Sequence, residues 1–257
     1  MKQKKSSYKN FKYKNLLDLR ILYPENKFVI YTRGRTGSTL LTDLINCHSE
    51  IFCDVEIFNF MYSNGKVLFP ELYIDSCSKR AVLKKKSTYG FKVKISQLKN
   101  EHKYKNYEKI LEDLCRKGWK FIYLKRENYI THMISNKMAA ETNVYHLKNE
   151  DEPYKKKIHI EGKLLLDAIK FGEETAKEEE ENLKNIPHLK ILYEKDLWDN
   201  SKHQETADRI FSYLGLSSQK VKANYKKVVP VDLRETIINF DEVYNFFKDT
   251  EYINLLK

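Results

Sequence analysis

The run TRGRTGST at positions 32–39 combines the residue types that bind phosphate groups. Glycines let a backbone wrap closely around an anion, hydroxyl groups donate hydrogen bonds to phosphate oxygens, and arginines supply positive charge. The apolar run 27–32 before it is typical of a buried strand, and apolar residues at helical spacing follow within 38–46. A loop between a strand and a helix is an anion site, because the first N–H groups of the helix face it. The candidate binding residues are Arg33, Gly34, Arg35, Thr36, Gly37, Ser38 and Thr39.

The Walker A loop of ATPases and GTPases is the nearest alternative, with the pattern G-x-x-x-x-G-K-[ST]. This chain departs from it at two positions, since Ser38 stands where the lysine belongs and Thr32 where the first glycine belongs. Arg35 supplies positive charge from within the loop instead. A degenerate P-loop kinase or NTPase is therefore kept as an alternative reading.

A second cationic pair, Lys125 and Arg126, follows the apolar run 119–124. Metal-dependent P-loop enzymes usually carry a metal-binding aspartate on the corresponding strand. Basic residues at that place bind a second anionic group directly, without a metal ion. The sequence therefore predicts two phosphate sites and no metal site.

Strand-like and helix-like segments alternate along the chain. The predicted strands are 27–32, 89–95, 119–124 and 188–193, and the predicted helices are 38–46, 107–114, 129–141, 162–184 and 207–214. This alternation predicts an α/β fold with a mainly parallel sheet flanked by helices, a P-loop NTPase-like three-layer sandwich with ligands at the carboxyl ends of the strands. We expect one domain over 27–257, after a basic lead-in over 1–26, with 146–160 as a charged surface insertion.

The whole chain has 257 residues, 41% of them hydrophobic, and a formal net charge of +11. A basic balance suits an anionic partner, and a nucleic-acid-binding protein is a further alternative, although the tyrosines are scattered rather than grouped with basic residues. No stretch has the pattern of a signal peptide or a membrane span, so we expect a cytoplasmic protein that does not span a membrane. Four cysteines without C-x-x-C spacing argue against a zinc site.

The two phosphate motifs together resemble those of the PAPS-dependent sulfotransferase family, PAPS being 3′-phosphoadenosine-5′-phosphosulfate. The family's 5′-phosphosulfate motif, [RK]-[ST]-G-[ST]-[ST], matches RTGST at 35–39, and its 3′-phosphate pair of Arg and Ser is similar to Arg126 and Ser135. The segments 48–59, 89–93, 193–197 and 237–244 are also similar to family segments. The start KREN at 125–128 resembles the bacterial branch that includes trehalose-type carbohydrate sulfotransferases.

The resemblance implies PAPS as the sulfuryl donor and 3′-phosphoadenosine-5′-phosphate (PAP) as its product, with no metal required. It implies a small-molecule or glycan acceptor and leaves the oligomeric state open. Arg35 is the candidate that stabilises the leaving phosphate, and Lys92 is a candidate sulfate contact. Glu56 is the candidate general base, because it lies in an otherwise apolar stretch and the family has a base there. His48 is the alternative base, and Asp54 matches no family position.

Overall fold

Seven strands and seven α-helices follow one another in this computed structural model, which describes residues 23–142, 144, 147–148, 151, 157–226 and 232–256. The strands are β1 (Asn26–Thr32), β2 (Ile51–Glu56), β3 (Thr88–Val93), β4 (Lys120–Lys125), β5 (Leu147–Lys148), β6 (His188–Leu192) and β7 (Tyr225–Lys226). The helices are α1 (Ser38–Ile45), α2 (Pro70–Leu83), α3 (Tyr107–Arg116), α4 (Tyr129–Thr142), α5 (Gly162–Leu183), α6 (His203–Leu214) and α7 (Phe240–Phe247).

The central sheet has the strand order β2-β3-β1-β4-β6, and every neighbouring pair in it is parallel. β1 lies in the middle, between β3 and β4. The short strands β5 and β7 form a separate antiparallel pair. Since parallel strands all end at the same edge, the loops after β1, β2, β3 and β4 are brought to one side of the sheet.

Alternating side chains of β1 supply both layers of the core. Phe28 and Ile30 join a buried cluster with α1 and α6, and Val29 and Tyr31 join another with α2 and α3. A third buried cluster packs α4, α5 and α7 together. Helices cover both faces of the sheet, so its strands are hydrophobic on both sides, as parallel sheets require.

The predicted α/β fold with a mainly parallel, helix-flanked sheet is confirmed. The four predicted strands and five predicted helices are present, with bounds that differ by a few residues. β2, α2 and α7 were not predicted as elements. Short π-helical turns at Gln97–Glu101 and Tyr193–Leu197 were not predicted either.

Two sequence expectations fall partly or wholly outside the described residues. The lead-in 1–26 is described from 23 onward, and the insertion 146–160 at 147–148, 151 and 157–160. Within the described part of the chain, no helix combines the length and the apolar character needed to cross a membrane.

Candidate functional site

The loop between β1 and α1 passes twice through left-handed backbone, at Arg35 (φ 60°) and at Gly37 (φ 84°). This conformation costs a residue with a side chain about 1–2 kcal/mol, so the fold must hold Arg35 in place. Ser38 and Thr39 form the first turn of α1 directly after Gly37. The unpaired N–H groups of that turn are therefore available to an anion in the loop.

Three hydrogen bonds anchor this loop to its surroundings. The hydroxyls of Thr32 and Thr36 lie 2.6 Å apart, and the Thr32 hydroxyl donates to the Leu124 carbonyl of β4 at 2.9 Å. His132 Nε2 lies 2.5 Å from the Gly34 carbonyl oxygen. Thr36 is buried, so its side chain serves the loop's shape, while the predicted phosphate contact of this residue stays a prediction.

The His132 ring is held neutral by its position. Burial lowers the pKa of His132 to about 3, and the charges of Arg126, Arg33 and Arg35 add to the shift. Protonation would place another positive charge among three guanidinium groups in the interior. His132 therefore donates from Nε2 to Gly34, and sequence reasoning missed this residue although it lies within a predicted helix.

Arg35, Arg126 and Ser135 meet at the carboxyl ends of β1 and β4. Arg35 Nε donates to Ser135 Oγ at 3.1 Å, and Arg126 Nη1 donates to the Arg35 carbonyl at 2.9 Å. The two predicted phosphate motifs are thus in direct contact, although they lie about 90 residues apart in the sequence. The arrangement offers two guanidinium groups and one hydroxyl to anionic groups of one ligand.

Arg126 is buried against an aromatic ring, and one of its N–H donors, at Nε, has no hydrogen-bond acceptor among the described residues. Its guanidinium lies 4.5 Å from the centre of the Tyr193 ring, and its Nε is 3.8 Å from a Glu194 carboxylate oxygen. Among the described residues, no atom accepts a hydrogen bond from that buried Nε. Burial lowers the pKa of Arg126, and Tyr193 and Glu194 partly offset this shift. An orphaned donor on a buried cation fits an anionic ligand group such as a phosphate.

The Tyr193 ring contacts both predicted phosphate motifs. A Cβ built on Gly37 would lie 2.6 Å from the Tyr193 ring, so the ring packs directly on the loop backbone. The next residue, Glu194, accepts hydrogen bonds from the N–H groups of Glu127 and Asn128 at 3.1 and 3.0 Å. The turn Tyr193–Leu197 therefore positions both motifs. Sequence analysis found only that 193–197 is similar to a segment of the PAPS-dependent sulfotransferase family, and predicted no role for it in the site.

The Arg33 side chain contacts α5 and the first residue of α4. Its Nε lies 3.3 Å from a Glu179 carboxylate oxygen on α5, and its Nη1 donates to the Gly172 carbonyl at 3.1 Å. Tyr129 packs against the guanidinium at 5.5 Å. Arg33, a predicted cofactor-binding residue, thus uses its side chain to link the loop to α5. Only its backbone lies in the loop.

The Glu56 carboxylate contacts three polar side chains from the carboxyl end of β3 and the residues that follow it. Lys94 Nζ lies 2.7 Å from Glu56 Oε2, Gln97 Nε2 donates to the same oxygen at 2.9 Å, and Lys92 Nζ lies 4.0 Å from Oε1. The carboxylate is partly exposed, with 17% of the side chain accessible. It can accept a proton from an approaching group while lysines on two sides balance its charge.

A β-bulge puts Glu56 in this position. Cys53 pairs with Gly90, and the next pair along the strands is Glu56 with Lys92. Between these two pairs β2 therefore has one residue more than β3. Regular alternation would have placed Val55 opposite Lys92. The bulge therefore brings a carboxylate, instead of an apolar side chain, beside the lysine.

Lys92 and Lys94 relate this cluster to the phosphate loop. Burial lowers the pKa of Lys92, and the charge of Glu56 opposes the shift. Lys94 Nζ would lie 3.8 Å from a Cβ built on Gly34, which places its charge at the loop. Lys94 and Gln97 were missed in the sequence: Lys94 falls within the predicted strand 89–95, whereas the strand of the structure ends at Val93, and Gln97 follows it.

The alternative bases have structural partners. His48 Nε2 lies 3.1 Å from the Ser217 carbonyl, and its Nδ1 accepts from the Glu50 N–H at 3.1 Å. Asp54 forms an ion pair with Arg80. Both ring nitrogens of His48 and the carboxylate of Asp54 are thus engaged with groups outside the phosphate loop.

No group of three or more His, Cys, Asp or Glu side chains suited to a metal ion is found in the part of the chain that the structure describes. The ligand donors at the carboxyl edge of the sheet are instead cationic and hydroxyl groups, from Arg35, Arg126, Ser135 and the loop. This set forms a candidate anion site on the P-loop-like strand–loop–helix unit of an α/β fold.

Comparisons with known proteins find similar chains among solved structures. No family model matches the chain, and the search of curated proteins finds no match. Among solved structures, a sulfotransferase from Alicyclobacillus acidocaldarius is similar at 14% identity, covering 92% of this chain and 95% of that one, with a TM-score of 0.49. Mouse sulfotransferase SULT7A1 complexed with PAP is similar at 15% identity, covering 90% and 88%, with a TM-score of 0.43.

Proposed function

We propose that the protein is a sulfotransferase that moves the sulfuryl group of PAPS to an acceptor hydroxyl, on a carbohydrate or glycolipid. The observation that carries the proposal is the contact between the two motifs, in which Arg35 bonds to Ser135 and Arg126 bonds to Arg35. A donor with a 5′-phosphosulfate and a separate 3′-phosphate needs two neighbouring cationic sites, one for each anionic group. A nucleoside triphosphate with Mg²⁺ would instead need a carboxylate beside the loop.

Each end of the donor has its own residues under this proposal. The N–H groups of the loop and of α1, with Ser38 and Thr39, bind the 5′ end, and Lys94 adds charge beside Gly34. Arg126 and Ser135 bind the 3′-phosphate, and the orphaned Arg126 Nε supplies a donor that protein atoms leave unused. Glu194 lies 3.8 Å from this Nε, beyond hydrogen-bond distance, so a phosphate would add a closer anionic partner to the buried cation.

Arg35 stabilises the charge that develops as the sulfuryl group leaves. PAPS supplies the activated sulfuryl group, and the protein positions the reactants and neutralises the departing phosphate. The guanidinium of Arg35 is preorganised by its bond to Ser135 and by the Arg126 bond to its carbonyl. A preorganised cation strengthens its contact as the leaving charge grows, and so lowers the barrier.

Glu56 accepts the proton of the acceptor hydroxyl. Lys94 and Gln97 fix the orientation of its carboxylate, and the nearby Lys92 contributes positive charge for the sulfate oxygens. The acceptor oxygen can thereby become nucleophilic on the side of the loop where Lys94 meets Gly34. General-base assistance of this kind typically contributes about 10² to 10⁴-fold in rate.

The test measures PAP release from PAPS in the presence of carbohydrate and glycolipid acceptors. Arg35→Met should lower turnover about 10² to 10³-fold, because it removes a preorganised cation at the leaving group. Arg116→Met, at an exposed ion pair on α3, is the matched control and should leave turnover unchanged. Failure of the wild-type protein to turn over PAPS with any acceptor, or equal rates for both variants, would contradict the proposal.

A further inference from the structure

Six large apolar side chains stand exposed in and after the loop that follows β2. Met61 is 91% exposed, Leu68 69% and Phe69 61%. Phe60, Tyr62 and Leu72 are exposed as well, and we call the six residues the apolar protrusion. Single exposed apolar residues are ordinary, but a cluster of this size marks an interaction surface.

One histidine ties both arms of the loop to the same place. His102 Nε2 donates to the Phe58 carbonyl at 2.8 Å, and its Nδ1 accepts from the Val67 N–H at 3.2 Å. The Tyr104 hydroxyl also donates to the Val67 carbonyl, at 2.6 Å. The residues after Phe58 and those after Val67 therefore emerge side by side, and their apolar side chains share one surface.

This surface borders the candidate site. The loop begins directly after Glu56, and the Phe60 N–H donates to Glu101 Oε2 at 3.0 Å. Glu101 belongs to the same π-helical turn as Gln97, which bonds to Glu56. The segment Gln97–Glu101 thus contacts both Glu56 and the start of the apolar protrusion.

Exposed lysines accompany the apolar side chains. Lys66 lies within the loop, and Lys103 and Lys105 flank the Tyr104 that binds it. Of the acidic neighbours, Glu101 accepts the Phe60 N–H and Glu71 pairs with Lys117. Three exposed lysines thus lie at the border of the apolar surface, together with Glu101 and the ion-paired Glu71, in a chain of net charge +11.

We propose that the apolar protrusion docks the protein on an anionic lipid bilayer. Apolar and aromatic side chains with Lys at their border are the composition of segments that bind membrane interfaces, where both the buried apolar area and the anionic headgroups contribute. The docking itself does not depend on the proposed activity.

The test is cosedimentation with phosphatidylcholine vesicles, with and without phosphatidylglycerol. We expect the wild-type protein to prefer the anionic vesicles, and Met61→Ser/Leu68→Ser/Phe69→Ser to bind them about tenfold or more weakly. Lys66→Glu/Lys103→Glu should remove the preference for anionic lipid, since each lysine near the surface is worth about fivefold in affinity. Phe171→Ser/Ile238→Ser, at exposed positions on other elements, is the matched control and should bind as the wild type does.

Three results would overturn the proposal. The first is wild-type protein that does not sediment with anionic vesicles. The second is a control variant that loses binding as far as the Met61→Ser/Leu68→Ser/Phe69→Ser variant does. The third is a concentration-dependent dimer of the free protein that this triple substitution abolishes while vesicle binding persists, which would assign the surface to a second copy. Melting temperatures of all variants establish that each is folded, independently of any donor binding.

Discussion

Glu56 is a base candidate whose position depends on one extra residue in β2. The bulge after Cys53 sets Glu56 opposite Lys92, and Lys94 and Gln97 then hold its carboxylate. Glu56 could act as a general base or only as a partner in an ion-pair cluster, and the same contacts suit both roles. The two roles differ in consequence: loss of the carboxylate lowers turnover in the first and thermal stability in the second.

The substitution Glu56→Gln separates the two. The amide keeps the size and polarity of the side chain but cannot take a proton, so turnover should fall about 10²-fold or more with PAP affinity nearly unchanged. The measurement combines steady-state turnover with a melting temperature on one preparation. Glu50→Gln, which removes an exposed carboxylate bonded to Ser87, is the control. A lowered melting temperature with turnover intact would assign Glu56 to structure alone.

His132 predicts a pH dependence of stability. Its pKa is lowered to about 3 in the folded protein, so between that value and the unfolded value of about 6.5 the unfolded chain binds a proton that the folded chain does not. Stability from this residue is therefore present above about pH 6.5 and is lost as the pH falls. Going from about pH 7.5 to 5.5 should cost roughly 1.4 kcal/mol through His132.

Urea unfolding at the two pH values checks this expectation. His132→Gln keeps a donor for the Gly34 carbonyl but does not titrate, so its free energy of unfolding should change less with pH than that of the wild type. His188→Gln, at an exposed histidine, should keep the wild-type slope. Equal pH dependence in His132→Gln and the wild type would show that the folded protein accommodates the charged ring.

At the level of elements, the loop between β1 and α1 and the turn Tyr193–Leu197 form one unit. The Tyr193 ring touches Gly37 on one side and stacks on Arg126 on the other. Any movement of this ring therefore disturbs both phosphate motifs together. The loop's shape is thus a property of two distant segments, not of its glycines alone.

Gly37→Ala should expose this coupling. The new Cβ would face both the left-handed backbone and the Tyr193 ring at 2.6 Å, so we expect lower stability and a marked loss of PAP affinity. Gly215→Ala is a matched control, because Gly215 has φ 82° but no atom within 4 Å of the added Cβ. It should lose about 1–2 kcal/mol of stability and keep its PAP affinity. Equal PAP affinity in both variants would contradict the coupling.

The sequence predicted the elements whose signal is local. β1, the phosphate loop and α1 follow one another directly, and their apolar periodicity needs no partner. α2 was missed because it buries Ser76, Ser78 and Lys79, so its pattern does not follow hydrophobicity. The β2 bulge could not be predicted, because it depends on pairing with β3.

The role of individual site residues was partly predictable for a related reason. The contact of Arg126 with Arg35 follows from two strand ends that become neighbours in a parallel sheet. The Arg33 ion pair does not, because Glu179 lies in a glutamate-rich helix that reads as solvated, yet its side chain is buried. Tertiary packing therefore decides that the Arg33 side chain joins α5, which the local sequence does not show.

On the scale of the whole molecule, the cations of the candidate site lie together at the carboxyl ends of the strands. Arg35 and Arg126 lie at the ends of β1 and β4, while Lys92 and Lys94 lie at the end of β3. The strand order sets β3 and β4 on either side of β1, so the Arg126 end and the Lys92 end of the candidate site flank the same loop. The proposed donor and the proposed base therefore depend on different strands.

The central claim is that these cations bind a donor with two separate phosphate groups without a metal ion. Calorimetric titration with PAP in EDTA tests it most directly, with AMP and with ATP plus Mg²⁺ as the comparison ligands. We expect PAP to bind equally well with and without EDTA and more tightly than either comparison ligand. In Arg126→Met, the preference for PAP over AMP should fall about tenfold or more, since a charge-assisted hydrogen bond is worth about 1.5–3 kcal/mol. PAP binding that requires Mg²⁺, or tighter binding of ATP than of PAP, would contradict the account.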